Sequence, residues 1–225
     1  MKYDPQKHHR RSIRLKGYDY SQDGAYFVTI CTHNREFSLC DIVDSEATLS
    51  EDGKIVNYEW MRSSEIRKEI ELDAFIIMPN HIHGIIFIHD NKDKNVGANG
   101  RSPLRSLGSF VSGFKSITTK RINELHNTPQ KPFWQRNYYE HIIRNDRSLN
   151  AIRRYIQNNP LIWQYDMENP DVVRIPPKEI KLVFTQKCGF TNEEMDFIIK
   201  HSTMYSIDKE NVGIYGVNHS ELPHE

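Results

Sequence analysis

The fold is decided by the stretch Ala74-Phe75-Ile76-Ile77-Met78-Pro79-Asn80-His81-Ile82-His83-Gly84-Ile85-Ile86-Phe87-Ile88. The residues on both sides of Pro79-Asn80 are mostly apolar and β-branched or aromatic, which predicts two strands joined in a hairpin. Because side chains alternate along a strand, His81 and His83 are predicted to share one face and Ile82 to occupy the other. Two adjacent imidazoles on a rigid strand suit a divalent metal ion, although exposed or hydrogen-bonded structural histidines are the commoner outcome.

The segments around this hairpin have helical and strand patterns of their own. The predicted order is a strand at 25–32, a helix at 51–70, a strand at 72–78, the histidine strand, a helix at 104–126, a strand at 133–143 and a helix from Asp146 or Ser148 to about Asn158. This order predicts an α+β fold, a ferredoxin-like βαββαβ sandwich whose antiparallel sheet carries helices on one face, plus one C-terminal helix.

The remaining segments differ in composition from this core. Residues 1–17 form a basic N-terminal arm, residues 18–165 the predicted functional domain, and residues 166–225 an acidic accessory segment with a short helix predicted at 192–201. Residues 90–103 are polar and contain glycine, which is typical of a long loop.

A net charge of zero hides a strong asymmetry. Residues 101–160 hold 11 Lys/Arg and 3 Asp/Glu, whereas the remainder holds 19 and 27. Such a basic segment favours an anionic partner, most commonly nucleic acid, although a solvated helix face explains it equally well. No apolar run approaches the roughly 20 residues that span a bilayer, and no signal peptide is evident. The three cysteines lack a CxxC pair, so reduced thiols and a cytoplasmic location without membrane attachment are expected.

A second chemical pattern lies in the last predicted helix, Tyr155-Ile156-Gln157-Asn158-Asn159-Pro160. Positions i and i+4 of a helix share a face, so Tyr155 and Asn159 are predicted to point together, unless Pro160 redirects Asn159. A phenol oxygen can attack phosphorus, and an amide carbonyl can bind magnesium or manganese. An ordinary core or surface tyrosine remains the alternative, and Tyr138 and Tyr139 are rival nucleophiles.

Together these segments resemble the single-tyrosine HUH transposases, and within them the REP-associated tyrosine transposases of bacteria. The resemblance covers about residues 10–165 and leaves the C-terminal tail outside it. Its motifs are Tyr26-Phe27-Val28-Thr29-Ile30 with Asn34-Arg35, Met78-Pro79-Asn80-His81-Ile82-His83, Gly113-Phe114-Lys115-Ser116, Phe133-Trp134-Gln135-Arg136-Asn137-Tyr138-Tyr139-Glu140-His141-Ile142-Ile143-Arg144-Asn145 and Tyr155-Ile156-Gln157-Asn158-Asn159-Pro160.

The resemblance implies a metal-dependent enzyme that cuts and joins single-stranded DNA. His81 and His83 match the family's histidine pair, Tyr155 its nucleophile, and Asn159 the place of a third polar ligand for Mg²⁺ or Mn²⁺. Attack by Tyr155 would give a 5′-phosphotyrosine and a free 3′-hydroxyl. The implied partner is single-stranded or hairpin DNA, either REP-like palindromes or element ends, bound by a nucleoid-associated monomer or homodimer.

Cations and rings near these motifs suit the bases and phosphates of single-stranded DNA, and a basic arm can follow phosphates or a groove. The residues predicted to bind DNA are Arg10, Arg11, Arg14, Lys16, Arg35, Lys115, Trp134, Arg136 and Arg144. Two other functions stay open: a domesticated hairpin-binding protein that no longer cleaves, and a metal-dependent phosphodiesterase that uses water while Tyr155 is structural.

Overall fold

The computed structural model describes residues 18–89, 106–166, 168–173 and 177–195. The predicted basic arm, with Arg10, Arg11, Arg14 and Lys16, lies outside the described residues, as does the whole of the predicted loop at 90–103.

The described part of the chain contains six strands, four α-helices and two short 3-10 helices, followed by helical residues at 192–195. In chain order they are β1 (Gly24–Cys31), a 3-10 turn (His33–Arg35), β2 (Cys40–Val43), β3 (Glu46–Leu49), α1 (Glu51–Ile66), β4 (Ile70–Met78), β5 (His81–Ile88), α2 (Leu107–His126), β6 (Tyr139–Ile143), α3 (Asp146–Asn158), a second 3-10 helix (Asn159–Tyr165) and α4 (Pro177–Cys188). No helix among the described residues combines the length and apolar character needed to cross a membrane.

The main sheet has the order β4-β5-β1-β6, and each pair of neighbours is antiparallel. Strands β1 and β4 are thus separated by β5, which is the split βαβ arrangement of a ferredoxin-like fold. The predicted fold class is confirmed, and so is the predicted hairpin between β4 and the histidine strand, in which Met78 pairs with His81.

The two faces of the sheet have separate cores because side chains alternate along its central strands. On β1, Tyr26, Val28 and Ile30 face α1 and α2, whereas Phe27 faces the opposite side with the apolar residues of α3. On β5, Ile82 belongs to the first core. His83 stacks on Phe27 with ring centroids 5.3 Å apart, so the histidines lie on the α3 face.

Gly84, directly after the second histidine, lets the indole of Trp60 approach β5. Trp60 is fully buried, stacks on Phe75 at 4.4 Å, and has Phe110 and Phe114 edge-on beside it. A Cβ at position 84 would lie 2.3 Å from the Trp60 ring, and real Cβ atoms essentially never come that close to another atom. A glycine is therefore required here by packing.

Replacing Gly84 with alanine is expected to lower the free energy of unfolding by about 1–3 kcal/mol, because the fully packed indole has nowhere to move. Urea unfolding measures the change. Gly113→Ala is the matched control, since the added methyl there meets only the end of the Arg67 side chain and alanine favours a helix. Equal stability of the two variants would contradict the packing argument.

Several elements differ from the sequence-based predictions. The predicted strand at 133–143 was too long: β6 begins at Tyr139, and Trp134 forms only an isolated bridge with Thr32. Helix α1 ends at Ile66 because the chain then turns into β4. Helix α3 is capped by Asn145, whose side chain accepts from the Ser148 N–H. The hairpin of β2 and β3 and the helix α4 were not predicted, and the helix predicted at 192–201 is helical as far as the chain is described, to residue 195.

Candidate active site

The two histidines of β5 lie side by side in the interior. Their Nε2 atoms are 3.0 Å apart, and the exposed fractions of the two residues are 0% and 4%. The Nδ1 of His83 shares a hydrogen bond of 2.8 Å with the hydroxyl of Thr29, its register partner on β1. Burial lowers the pKa of both imidazoles, that of His83 to about 3. Both rings are therefore neutral at physiological pH, the form that binds metals.

Asn80 fixes the orientation of His81. Its side-chain N–H donates to the backbone carbonyl of Glu168 at 2.6 Å, so its oxygen faces the Nδ1 of His81 at 2.9 Å and accepts from it. With the proton on Nδ1, the lone pair of His81 is on Nε2 and points at the shared centre. Asn80 is fully buried and therefore acts as a positioning residue.

Asn80→Ala is expected to weaken Mn²⁺ binding by about 10–100-fold, the usual effect of losing a group that orients a metal-binding histidine. Calorimetric titration with MnCl₂ measures it. Asn123→Ala, which removes an exposed amide bonded to the Lys131 carbonyl, is the matched control and should bind Mn²⁺ like the wild type. Unchanged affinity in Asn80→Ala would show that the histidine is held by other contacts.

A carboxylate completes the cluster. One ligand atom each from His81, His83 and Asp166 lie within 4.8 Å of one another, and all three residues are buried. The Oδ2 of Asp166 is 3.9 Å from the Nε2 of His81, while its Oδ1 accepts from the backbone N–H of Glu168. Burial raises the pKa of Asp166 to about 7, and the Glu168 N–H bond opposes this rise. Two imidazole nitrogens and a carboxylate oxygen are a donor set that fits Mg²⁺ or Mn²⁺.

Asn159, predicted as a metal ligand, is the C-cap of α3 and is fully buried. Among the described residues, neither its Oδ1 nor its Nδ2 has a hydrogen-bond partner of ordinary geometry, although the amide is close enough to Asp166 to lower the pKa of that carboxyl. An unpaired buried amide is costly, so a cation at this position would satisfy its oxygen.

Helix α3 brings Tyr155 to the same centre. The Tyr155 hydroxyl is 3.4 Å from the Nε2 of His83, with the ring centroids 5.3 Å apart. The helix is attached to β4 by Arg153, whose Nε and Nη2 contact the two oxygens of Asp73 at 2.8 and 2.5 Å. Asp73 lies where the register of β4 shifts, an irregularity that can redirect a side chain. Helix α3 and β5 of the same chain thus bring the Tyr155 phenol next to the imidazoles of His81 and His83.

The two rival tyrosines of the sequence analysis have other surroundings. Tyr138 packs against the core on the α1 and α2 side, under the ammonium of Lys115. Tyr139 lies on the α3 side, where its ring packs edge-on against Phe27 at 6.2 Å. Of the three tyrosines, Tyr155 is the one whose hydroxyl the structure records within 3.4 Å of the His83 Nε2.

The cluster is closed from the surface. Trp163 lies over His81 with ring centroids 6.0 Å apart, and Tyr155 is only 6% exposed. The Nε of Arg35 contacts the Oε2 of Glu168 at 2.8 Å and so links the loop after β1 to the segment that follows the second 3-10 helix. A phosphate can therefore reach the histidines only if some of these side chains move.

The predicted DNA-binding residues separate into two groups. Arg136 and Arg144 are exposed, and the Arg35 side chain is half-exposed. Trp134 is instead buried and donates to the Thr118 hydroxyl at 2.8 Å, so it would have to leave the core in order to stack on a base. The Lys115 ammonium donates to the backbone carbonyls of Gln135 and Asn137, so it is hydrogen-bonded to the segment before β6.

Asp166 and Glu168 were missed by the sequence analysis, because they follow the core in a segment that was interpreted as accessory. The signal available was their position: the second 3-10 helix continues directly from α3 and ends at Tyr165. A chain that leaves the tyrosine helix in this way stays close to the histidines, and an acidic residue there becomes a candidate ligand.

Comparisons with known proteins show which sequences this chain is similar to. The family model described as "Transposase IS200 like" matches residues 101–159. An uncharacterised protein of Haemophilus influenzae is 40% identical over 73% of this chain and 96% of its own length. A proposed REP-associated tyrosine transposase of the same organism is 25% identical over 65% of this chain and 76% of its own length.

Two solved structures are also similar. One, described as a REP-associated tyrosine transposase bound to a REP hairpin, has a TM-score of 0.46 and 22% identity, and the match covers 66% of this chain and 73% of that one. The other, a proposed transposase of Deinococcus radiodurans, has a TM-score of 0.36 and 18% identity over 64% of this chain and 95% of that one. The sequence matches confirm the resemblance inferred from the motifs: the chain belongs to the IS200-like transposase family.

Proposed function

We propose that this protein is a metal-dependent single-strand DNA endonuclease and strand transferase that acts on hairpin DNA through a covalent tyrosine intermediate. The observation that carries the proposal is the approach of the Tyr155 hydroxyl to within 3.4 Å of His83 Nε2, at the centre shared with His81 and Asp166. Membership of a transposase family and the basic balance of residues 101–160 support a DNA substrate.

His81, His83 and Asp166 would hold Mg²⁺ or Mn²⁺, with the Asn159 carbonyl oxygen as a further ligand. When bound, the ion supplies Lewis-acid polarisation of the scissile phosphate. The Tyr155 oxygen attacks phosphorus, the bond from phosphorus to the 3′ oxygen breaks, and the phenolic proton ends on that oxygen. The products are a 5′-phosphotyrosine and a free 3′-hydroxyl, and a second 3′-hydroxyl reverses the step without an external energy source.

The chain itself supplies positioning. Thr29 and Asn80 hold the imidazoles, and the Arg153–Asp73 pair holds α3 against the sheet. Because Tyr155 lies beside the histidines of its own chain, the proposed nucleophile and the proposed metal ligands can come from a single molecule. REP-like palindromes and element ends are the expected DNA targets, in keeping with the name of the 25% identical relative.

The direct test incubates the protein with MnCl₂ and an end-labelled DNA hairpin that carries single-stranded flanks. We expect a labelled species that survives SDS, whose linked peptide contains Tyr155. Cleavage without linkage would indicate hydrolysis by water, and binding without metal-dependent nicking would indicate a hairpin-binding protein; either result would overturn the proposal.

Metal binding is expected to depend on pH through Asp166. Burial raises the pKa of this carboxyl to about 7, whereas both histidines stay neutral over the same range because burial lowers their pKa. An ion must therefore displace one proton below pH 7 and none well above it, so Mn²⁺ should bind about tenfold more tightly at pH 8 than at pH 6. Titration calorimetry at both pH values measures this, and Asp166→Asn should remove the difference. An affinity independent of pH in the wild type would show that the pKa of Asp166 is not raised, and an unchanged affinity in Asp166→Asn would exclude this carboxyl as a ligand.

A further inference from the structure

We infer that Phe37 is a stacking surface for an unpaired base of the DNA strand next to the cleaved phosphate. This inference rests on the proposed function and adds a base-binding position to it. It starts from a series of rings that leads out of the catalytic cluster: the centroid of His81 is 6.0 Å from that of Trp163, and the centroid of Trp163 is 5.9 Å from that of Phe37. Phe37 is at the outer end of this series and is 52% exposed.

Phe37 is held on a rigid frame. The backbone N–H groups of the next two residues, Ser38 and Leu39, both donate to the carbonyl of Pro79 at 3.1 Å, directly before the histidine strand. Leu39 is fully buried, and the Thr32 hydroxyl donates to the carbonyl of Glu36 at 2.8 Å. A ring fixed in this way loses little conformational freedom when a ligand binds, which favours affinity.

The orientation of the ring leaves a face available. Phe37 and Trp163 meet edge to face, with an angle of 63° between their planes, so Trp163 supports Phe37 without covering it as a parallel stack would. An exposed aromatic ring beside a phosphate-processing centre has the geometry that single-stranded nucleic acids use, since every base offers a flat face.

Cations lie at the same end of the sheet. Arg35 is two residues before Phe37, and although it pairs with Glu168 its side chain is half-exposed. The exposed Arg136 follows Gln135, whose N–H donates to the carbonyl of Cys31 at the end of β1. Backbone phosphates on either side of a stacked base would find positive charge here. A nucleobase on a negatively charged strand therefore fits this surface better than an uncharged apolar ligand.

Fluorescence anisotropy with a fluorescein-labelled DNA hairpin that carries a single-stranded thymidine tail tests the inference. All proteins carry Tyr155→Phe, so binding is read without cleavage. Phe37→Ala and Phe37→Leu are expected to bind roughly 5- to 150-fold more weakly, and Phe37→Tyr, which keeps the ring, like the parent. Tyr58→Ala removes an equally exposed ring from α1 (54% exposed, against 52% for Phe37) and should bind the DNA as tightly as the parent.

Single abasic sites placed along the tail then locate the base. One position should weaken binding to the parent protein as much as Phe37→Ala does, and should have no further effect on Phe37→Ala. Equal binding by Phe37→Ala and the parent, or an abasic penalty that persists without the ring, would overturn the stacking surface while leaving the proposed function intact. Failure of the parent to bind the tailed hairpin would refute both.

Discussion

Tyr155→Phe is expected to abolish the SDS-resistant protein–DNA adduct and to reduce cleavage by about 1,000-fold or more, because the substitution removes the oxygen proposed to bond to phosphorus while keeping the ring. The phenyl group can still pack against Phe27 and His83, so the fold and hairpin binding should persist. Gel electrophoresis of the adduct and anisotropy of the bound hairpin measure the two properties separately.

Tyr139→Phe is the matched control. It removes a hydroxyl from a ring that also contacts Phe27 on the same side of the sheet. This variant should form the adduct at the rate of the wild type. If Tyr139→Phe loses the adduct and Tyr155→Phe retains it, the nucleophile is on β6 and the role given to α3 is wrong.

Asp166→Asn is expected to weaken Mn²⁺ binding by about 100-fold or more, since it replaces a charged oxygen donor by a neutral one in a buried site. Asparagine can still accept from the Glu168 N–H, so the loop should keep its shape. Without added metal the melting temperature should not fall, because burial already disfavours the ionised carboxyl. Calorimetry and thermal unfolding with and without MnCl₂ give the two readouts.

Asn159→Ala separates the two candidate oxygen ligands. If the Asn159 carbonyl oxygen also binds the ion, this variant should lose affinity too, but less than Asp166→Asn because a neutral donor contributes less to a cation. If Asn159→Ala loses most of the Mn²⁺ affinity and Asp166→Asn binds Mn²⁺ like the wild type, the ligands are those predicted from the sequence: His81, His83 and Asn159.

Local patterns predicted the parts of the site that lie on regular elements. Alternation along β5 put His81 and His83 on one face, and the structure has both Nε2 atoms at one centre. The helix ending at Asn158 carries Tyr155 on its buried side. Both elements are regular, so the spacing of residues along the sequence determines which side chains share a face.

Local patterns could not predict contacts between residues that are distant in the sequence. Asp166 lies against His81 because of the path that the chain takes after α3, and local patterns do not predict that path. Trp134 was assigned to a strand because aromatic residues are common in strands, whereas it lies before β6 and its indole N–H donates to Thr118 inside the core. The β2–β3 hairpin was missed because its turn residues, Asp44 and Ser45, both have positive φ without the Asn-Gly pair that usually signals such a turn.

Because the Trp163 ring lies next to His81, its fluorescence can report whether an ion is bound at the histidines. The other two tryptophans, Trp60 and Trp134, belong to the core on the opposite face of the sheet, so only Trp163 lies over the histidines. Paramagnetic Mn²⁺ at that centre would quench its emission, whereas diamagnetic Mg²⁺ would not. Competition between the two ions could then be followed by fluorescence in unlabelled protein, before any DNA is cut.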